Sequence, residues 1–389
     1  PDESVLRIRR RIDGVLHEQV IKESRIAPAL MSRLKLMAGL DISEKRLPQD
    51  GRFDIRVLNR DIDIRLSTLP QRHGESAVMR LADHSGAATN LDQIGMPPEI
   101  LERFRFMTSR PSGLVLVTGP TGSGKTTTLY GGLNEMNTPD RKIITVEDPV
   151  EYELERITQV QVMTKIGLDF ARVLRTALRQ DPDVILVGEI RDQETAEIAL
   201  RASMTGHLVL STLHTNDAIA SATRLLDIGL EGYLVASSLR GVLAQRLVRR
   251  VCENCREPAT PDDQQYAWLD ALLGEAQAHS LSFYSGRGCN RCHGTGYLGR
   301  LGVFELLEMN EHLANLLRSD DMLGFVSAAR RRDGYRPLVL NALDLALAGE
   351  TSLAEVLRLS GQIEELKSYD LPATEPILPV QPADTGLAL

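Results

Sequence analysis

The stretch "GPTGSGKTTTLY", Gly119 to Tyr130, follows the apolar run "GLVLVT" and precedes a helical pattern. Its spacing, Gly119-x4-Gly124-Lys125-Thr126, matches a phosphate-binding loop. Glycines let the backbone turn tightly, so that after Pro120, which has no N–H, the N–H groups of Thr121, Gly122, Ser123 and Gly124 turn inward. Lys125 places a positive charge on the β- and γ-phosphates of a nucleotide triphosphate. The Thr126 hydroxyl suits Mg²⁺, and Thr127 continues the first turn of a helix whose positive end faces the anion.

Outward from this loop, short apolar strands alternate with helical segments from about 110 to 250. "GLVLVTG", "KIITVEDP" and "DVILVGEI" are the strand candidates. That rhythm predicts an α/β class with a mostly parallel, buried sheet. Such an enzyme needs carboxylates for Mg²⁺ and for the attacking water. Glu147 and Glu189 each follow a buried strand. Gly188 occupies the place where many such enzymes carry Asp, so Glu189 must carry any charge there. Either Glu189 polarises water through Mg²⁺ or Glu147 takes the proton directly.

Further candidates flank these strands. In "DFARVLRTALRQDPD", Arg172, Arg175 and Arg179 share one helix face, with Leu174 and Leu178 turned toward a core. The stripe is either a source of transition-state charge or a solvated face. "GHLVLSTLHTNDA" carries His207 and His214 on either side of an apolar strand, as γ-phosphate sensors or as structural histidines.

Cys252-x2-Cys255 and Cys289-x2-Cys292, with 33 residues between the pairs, have the spacing of a tetrahedral Zn²⁺ site. Four thiolates close every position, so the zinc is structural. The segment between the pairs shows no obvious core.

The N-terminal 1–90 reads as a small α+β subdomain. "RFDIRVLNRDIDIRLST" alternates as a strand pair around Asn59 and Arg60, with Phe53, Ile55 and Val57 on one face and Ile62, Ile64 and Leu66 on another. "APALMSRLKLMAGL" has helical spacing with Gly39 as its stop. Residues 91–109 read as a linker, 110–250 as the ATPase core, 251–300 as the tetracysteine zinc subdomain and 301–368 as helical. The proline-containing tail, 369–389, reads as disordered.

The 389 residues carry a net charge of −8, with 42% hydrophobic and 25% charged. That balance disfavours a general nucleic-acid binder. No apolar run approaches the about 20 residues of a membrane-spanning helix. The opening "PDESVLRIRRRIDG" reads as the interior of a domain, so the chain is expected to be a piece of a longer protein. A cytoplasmic location fits the absence of a signal peptide and the cysteine usage.

Together these motifs resemble the secretion ATPase superfamily, in particular type II secretion and type IV pilus assembly ATPases. The likeness runs from "IRRRIDGVL" to "TSLAEVLRL". "ITVEDPVEYELERITQVQV" resembles the family's Asp box, "LRQDPDVILVGEIRD" its Walker B box and "TGHLVLSTLHTNDA" its His box. "KRLPQDGR" and "RLSTLPQRHGESAVMRL" resemble its N-terminal subdomain. The resemblance implies a RecA-like P-loop core with a zinc-binding insertion, Mg²⁺ and ATP as cofactors, and a homohexamer working through an inner-membrane platform or anchor protein. It implies Glu189 as the Walker B glutamate and Glu147 as the acid that positions or activates water. Arg65 and Arg80 would reach the nucleotide from the N-terminal subdomain. Arg175, Arg179, Arg191 and Arg224 would lie near the site or a subunit interface, with His207 and His214 as sensors. Two rivals stay open: a DNA-translocating or conjugation ATPase, and a nucleotide-gated scaffold without useful turnover.

Overall fold

The computed structural model describes residues 5–12, 15–83 and 90–361. The tail over 369–389 lies outside them. The chain divides into two compact units, Pro1–Ala87 and Ala88–Leu389.

The first unit opens with an antiparallel hairpin, β1 (Leu6–Ile12) and β2 (Val15–Ile21). Helix α1 (Ala27–Met37) follows and stops just before Gly39. Strands β3 (Gln49–Val57), β4 (Arg60–Gln71) and β5 (Gly74–Asp83) make an antiparallel sheet in that order. The β3–β4 turn falls at Leu58 and Asn59, both at positive φ. Phe53 pairs with Ile64, and Ile55 with Ile62. Directly opposed residues point to the same side of a sheet. The two apolar sets therefore share one face, where the sequence reading gave each its own. The buried Lys35 ammonium lies 2.5 Å from the Glu75 carboxylate and ties α1 to β5.

In the second unit, the stretch expected as a linker carries a helix. This is α2 (Pro98–Thr108), which buries Leu101, Phe104 and Met107 at helical spacing. Strand β6 (Gly113–Thr118) and helix α3 (Lys125–Met136) frame the phosphate loop. Then come β7 (Ile143–Glu147), β8 (Thr158–Gln161), α4 (Phe170–Ala177), β9 (Val184–Val187), α5 (Gln193–Met204) and β10 (Leu208–Leu213). After α6 (Ala218–Asp227) and α7 (Gly232–Ser238), the long β11 (Leu239–Val251) crosses the molecule. The cysteine region holds β12 (Arg256–Ala259), α8 (Asp263–Leu273), α9 (Glu275–Ala278) and β13 (Phe283–Gly286). Strand β14 (Tyr297–Glu308) then precedes α10 (Glu311–Arg318), α11 (Met322–Arg330), α12 (Leu338–Leu347) and α13 (Leu353–Ser360). The helical pattern expected from 301 thus begins only after β14 ends.

The main sheet has strand order β14-β11-β6-β10-β9-β7-β8. Every pairing is parallel except β11 with β14. Strands β6, β7, β9 and β10 are buried along their whole length, which is why they read as unbroken apolar runs. Alternate residues of β6 feed opposite layers. Leu114 and Leu116 join a core with α5, α6, α12 and α13, while Val115 and Val117 join one with α2 and α3. The α/β class with a parallel-rich central sheet holds. Among the described residues, no helix is long and apolar enough to cross a membrane.

Candidate active site

Parallel register brings four strand ends to one edge. Thr118 of β6 lies level with Leu213 of β10, and Val187 of β9 lies level with Ser211 and Val146. The residues that follow, Gly119, His214, Gly188 and Glu147, therefore stand along the carboxyl edge. In an open parallel sheet that edge is where ligands bind.

The loop from Gly119 to Gly124 needs its glycines. Gly119 has φ 147, and a Cβ there would come within 2.4 Å of the Gln245 carbonyl oxygen. Gly124 has φ 90, and a Cβ would meet the Gln245 amide at 2.8 Å. Lys125 donates to the Gly119 carbonyl at 2.7 Å and to that of Pro120 at 3.2 Å. Burial pushes the Lys125 amine down to about 8; Arg246 adds to this and Glu189 opposes it. Ser123 Oγ and Thr118 Oγ1 are buried without a hydrogen-bond partner among the described residues. Orphaned hydroxyls and a half-buried ammonium around a glycine loop fit a bound polyphosphate. Thr126 and Thr127 sit in the first turn of α3, half-buried.

Glu189 is held from both sides. The Gly188 carbonyl accepts from Thr212 Oγ1 at 2.7 Å, and Ile190 N donates to the Thr212 carbonyl at 3.1 Å. Its own carboxylate is paired with Arg191 at 2.5 Å and faces His214 Nε2 at 3.5 Å. Glu189, Arg191, His214 and Lys125 thus converge.

Glu147 is differently placed. It is buried, and its oxygens accept from Tyr130 OH, from Thr145 Oγ1 at 2.5 Å and from Gln159 at 3.2 Å. Tyr130 stacks edge-on against Tyr152 with centroids 4.7 Å apart, and burial raises its phenol well above its usual value.

Within the second unit, several expected residues are not brought to this edge. His207 precedes β10, at the opposite end of the strand from His214, and its Nδ1 lies 3.0 Å from the Ala202 carbonyl. Arg175 bonds Glu194, and Arg179 donates to the Arg175 carbonyl at 3.0 Å. Helix α4 starts beside Gly188 and leads toward Asp183, at the amino ends of the strands, so Arg179 lies at the far edge. Both arginines are exposed, as is Arg224 on α6. Arg65 and Arg80 are cross-strand neighbours in the first unit.

Gln245 and Arg246 of β11 were missed by sequence reading. Both are buried, and Gln245 accepts from Thr128 Oγ1 at 2.7 Å. The available signal was a polar pair inside the apolar run "LRGVLAQRLV".

The four cysteines meet in the second unit. All four Sγ atoms lie within 4.8 Å of one another, with contacts of 3.9, 3.8 and 3.7 Å. A tetrahedron with Zn–S of about 2.3 Å has edges of about 3.8 Å. No disulfide joins them. The Asn254 amide draws the Cys289 thiol down to about 6, while burial pushes Cys255 up to about 12. Four crowded thiols cannot all ionise without a cation between them, so the set fits a dication. The segment between the pairs is not coreless: Leu269, Ala278 and Phe283 are buried in the main core.

A family model for "Type II/IV secretion system protein" matches residues 1–358. The type II secretion system ATPase E of Vibrio cholerae is 48% identical over 92% of this chain and 70% of its own length. The type II secretion system protein E of Pseudomonas aeruginosa matches to the same extent. The crystal structure of the pilus retraction motor PilT with bound ADP superposes with a TM-score of 0.60 at 27% identity, covering 92% of both chains. The chain belongs to the Type II/IV secretion system protein family.

Proposed function

We propose that this chain hydrolyses Mg·ATP at the Gly119–Thr127 loop and that the released energy drives assembly in a type II secretion or pilus-type system. The observation that carries the reading is the convergence of Lys125, Glu189 and His214 at one sheet edge. Lys125 leaves the loop carbonyls and takes the β- and γ-phosphates. Bound Mg²⁺, held by Thr126, supplies charge neutralisation. Glu189, oriented by Arg191 and His214, accepts the proton of the attacking water. Glu147, already engaged by Tyr130, Thr145 and Gln159, positions the neighbouring strand end rather than meeting water.

The working form is a hexameric ring, cytoplasmic and peripheral to the inner membrane, that turns one unit against the other and passes the motion to a platform or anchor protein. Arg65 and Arg80, with Arg175, Arg179, Arg224 and His207, act across subunit boundaries. The cysteine cluster holds structural zinc.

Glu189→Gln tests the enzyme reading. Turnover should fall at least about 100-fold while ADP affinity stays near that of the parent. Undiminished phosphate release by this variant would take the proton-accepting role from Glu189, and no phosphate release by the parent would leave only a nucleotide-gated scaffold.

A further inference from the structure

Arg246 is a buried arginine that the hydrolytic reading does not use. It lies in β11 opposite Val303 of β14, with 4% of its surface exposed. Burial lowers its affinity for a proton, with the carboxylates of Glu305 and Asp217 opposing this. Its side chain engages backbone carbonyls. Nη1 donates to Gln245 O at 3.1 Å. Nη2 donates to Asn216 O at 2.6 Å, with Thr215 O and Asn216 Oδ1 each at 3.5 Å. Its Nε is buried and has no hydrogen-bond partner among the described residues.

The Thr215 and Asn216 acceptors belong to the turn that follows His214. On the other flank of His214, the Leu213 carbonyl accepts from Gly119 N at 3.3 Å. Nη1 also lies 3.0 Å from where a Gly119 side chain would begin. The guanidinium therefore sits between the first residue of the phosphate loop and the turn after β10. An apolar side chain would fill this space without desolvating a cation. What an apolar residue lacks is a planar fork able to hold two carbonyls at fixed angles.

We propose that Arg246 is a positioning residue for hydrolysis, clamping the Thr215–Asn216 turn against the phosphate loop so that His214 meets Glu189. The inference rests on the hydrolytic reading above. In this role Arg246 acts through His214 rather than on the nucleotide.

The test is steady-state phosphate release from the full chain with Arg246→Lys, His214→Ala and the double variant, with thermal midpoints alongside. Lysine keeps the charge facing Asp217 and Glu305 but replaces the fork with a point donor. Arg246→Lys should lower kcat about tenfold with KM for ATP within about threefold of the parent. In the His214→Ala background the same change should cost less than about twofold, because the two act as one unit.

Equal losses in both backgrounds would overturn the proposal, as would an unchanged kcat or a change confined to KM. Should Arg246→Lys not fold, Arg246→Gln carries the same comparison. Failure of both to fold assigns the residue to stability alone and rejects the proposal. Glu189→Gln separates the two layers. If it keeps parent turnover, the assignment of Glu189 as proton acceptor fails; if it is inactive while Arg246→Lys turns over normally, only this inference fails.

Discussion

Glu305 shows how much one buried carboxylate is asked to do. Its Oε1 accepts from Ala218 N at 2.8 Å and Tyr335 OH at 2.9 Å, and Oε2 accepts from Leu338 N at 2.9 Å. It therefore caps the first turns of both α6 and α12. Burial, with the charge of Asp217 beside it, pushes its carboxyl from 4.5 up to about 7, while these hydrogen bonds and the nearby Arg246 oppose the shift. The folded chain thus holds a proton that the unfolded chain releases between those values. The stability Glu305 contributes is fullest below about pH 4.5 and falls as pH rises through 7. The change is on the order of 3 kcal/mol. The difference in thermal midpoint between the parent and Glu305→Gln should therefore shrink from pH 5.5 to pH 8. A constant difference would contradict the assignment.

At this scale, legibility followed chemistry. Lys125 and Glu189 were readable because a glycine loop and an apolar strand announce their neighbours. Glu305 and Arg246 were not, because each lies inside a strand and draws its role from partners distant in sequence, Leu338 for one and Asn216 for the other.

Among elements, the strands buried throughout were visible as apolar runs, whereas β11 was not. Its thirteen residues include Gln245, Arg246, Arg249 and Arg250, which break both alternation and apolar continuity. Tertiary partners hold the two arginines near its end: Arg249 pairs with the buried Glu355 at 2.9 Å, and Arg250 with Glu350 at 2.9 Å. Helix α2 hid inside an expected linker because its Pro97 and Pro98 read as punctuation, although proline suits a first helical turn.

Beyond β11, the cysteine knuckle is tied back into the sheet. Cys252 N donates to the Gly296 carbonyl at 2.9 Å, and Val251 N to that of Glu350 at 2.8 Å. Purified protein should carry about one zinc per chain by elemental analysis. Cys252→Ser, or chelation, should remove the zinc and lower the thermal midpoint by several degrees. Metal-free protein with the parent midpoint would rule out a structural metal.

Across the whole molecule, the two units do unlike work. The second carries the phosphate loop, Glu189 and the cysteine cluster, and the first carries Arg65 and Arg80 on its own three-stranded sheet. The proposed ring, turning one unit against the other, would need a chemical step to time it, and ATP cleavage at the Gly119–Thr127 loop would be that step. Phosphate release at saturating Mg·ATP should drop at least about 100-fold when Lys125 is replaced by Ala, because the only ammonium of that loop is gone. Release at the parent rate from Lys125→Ala would contradict it.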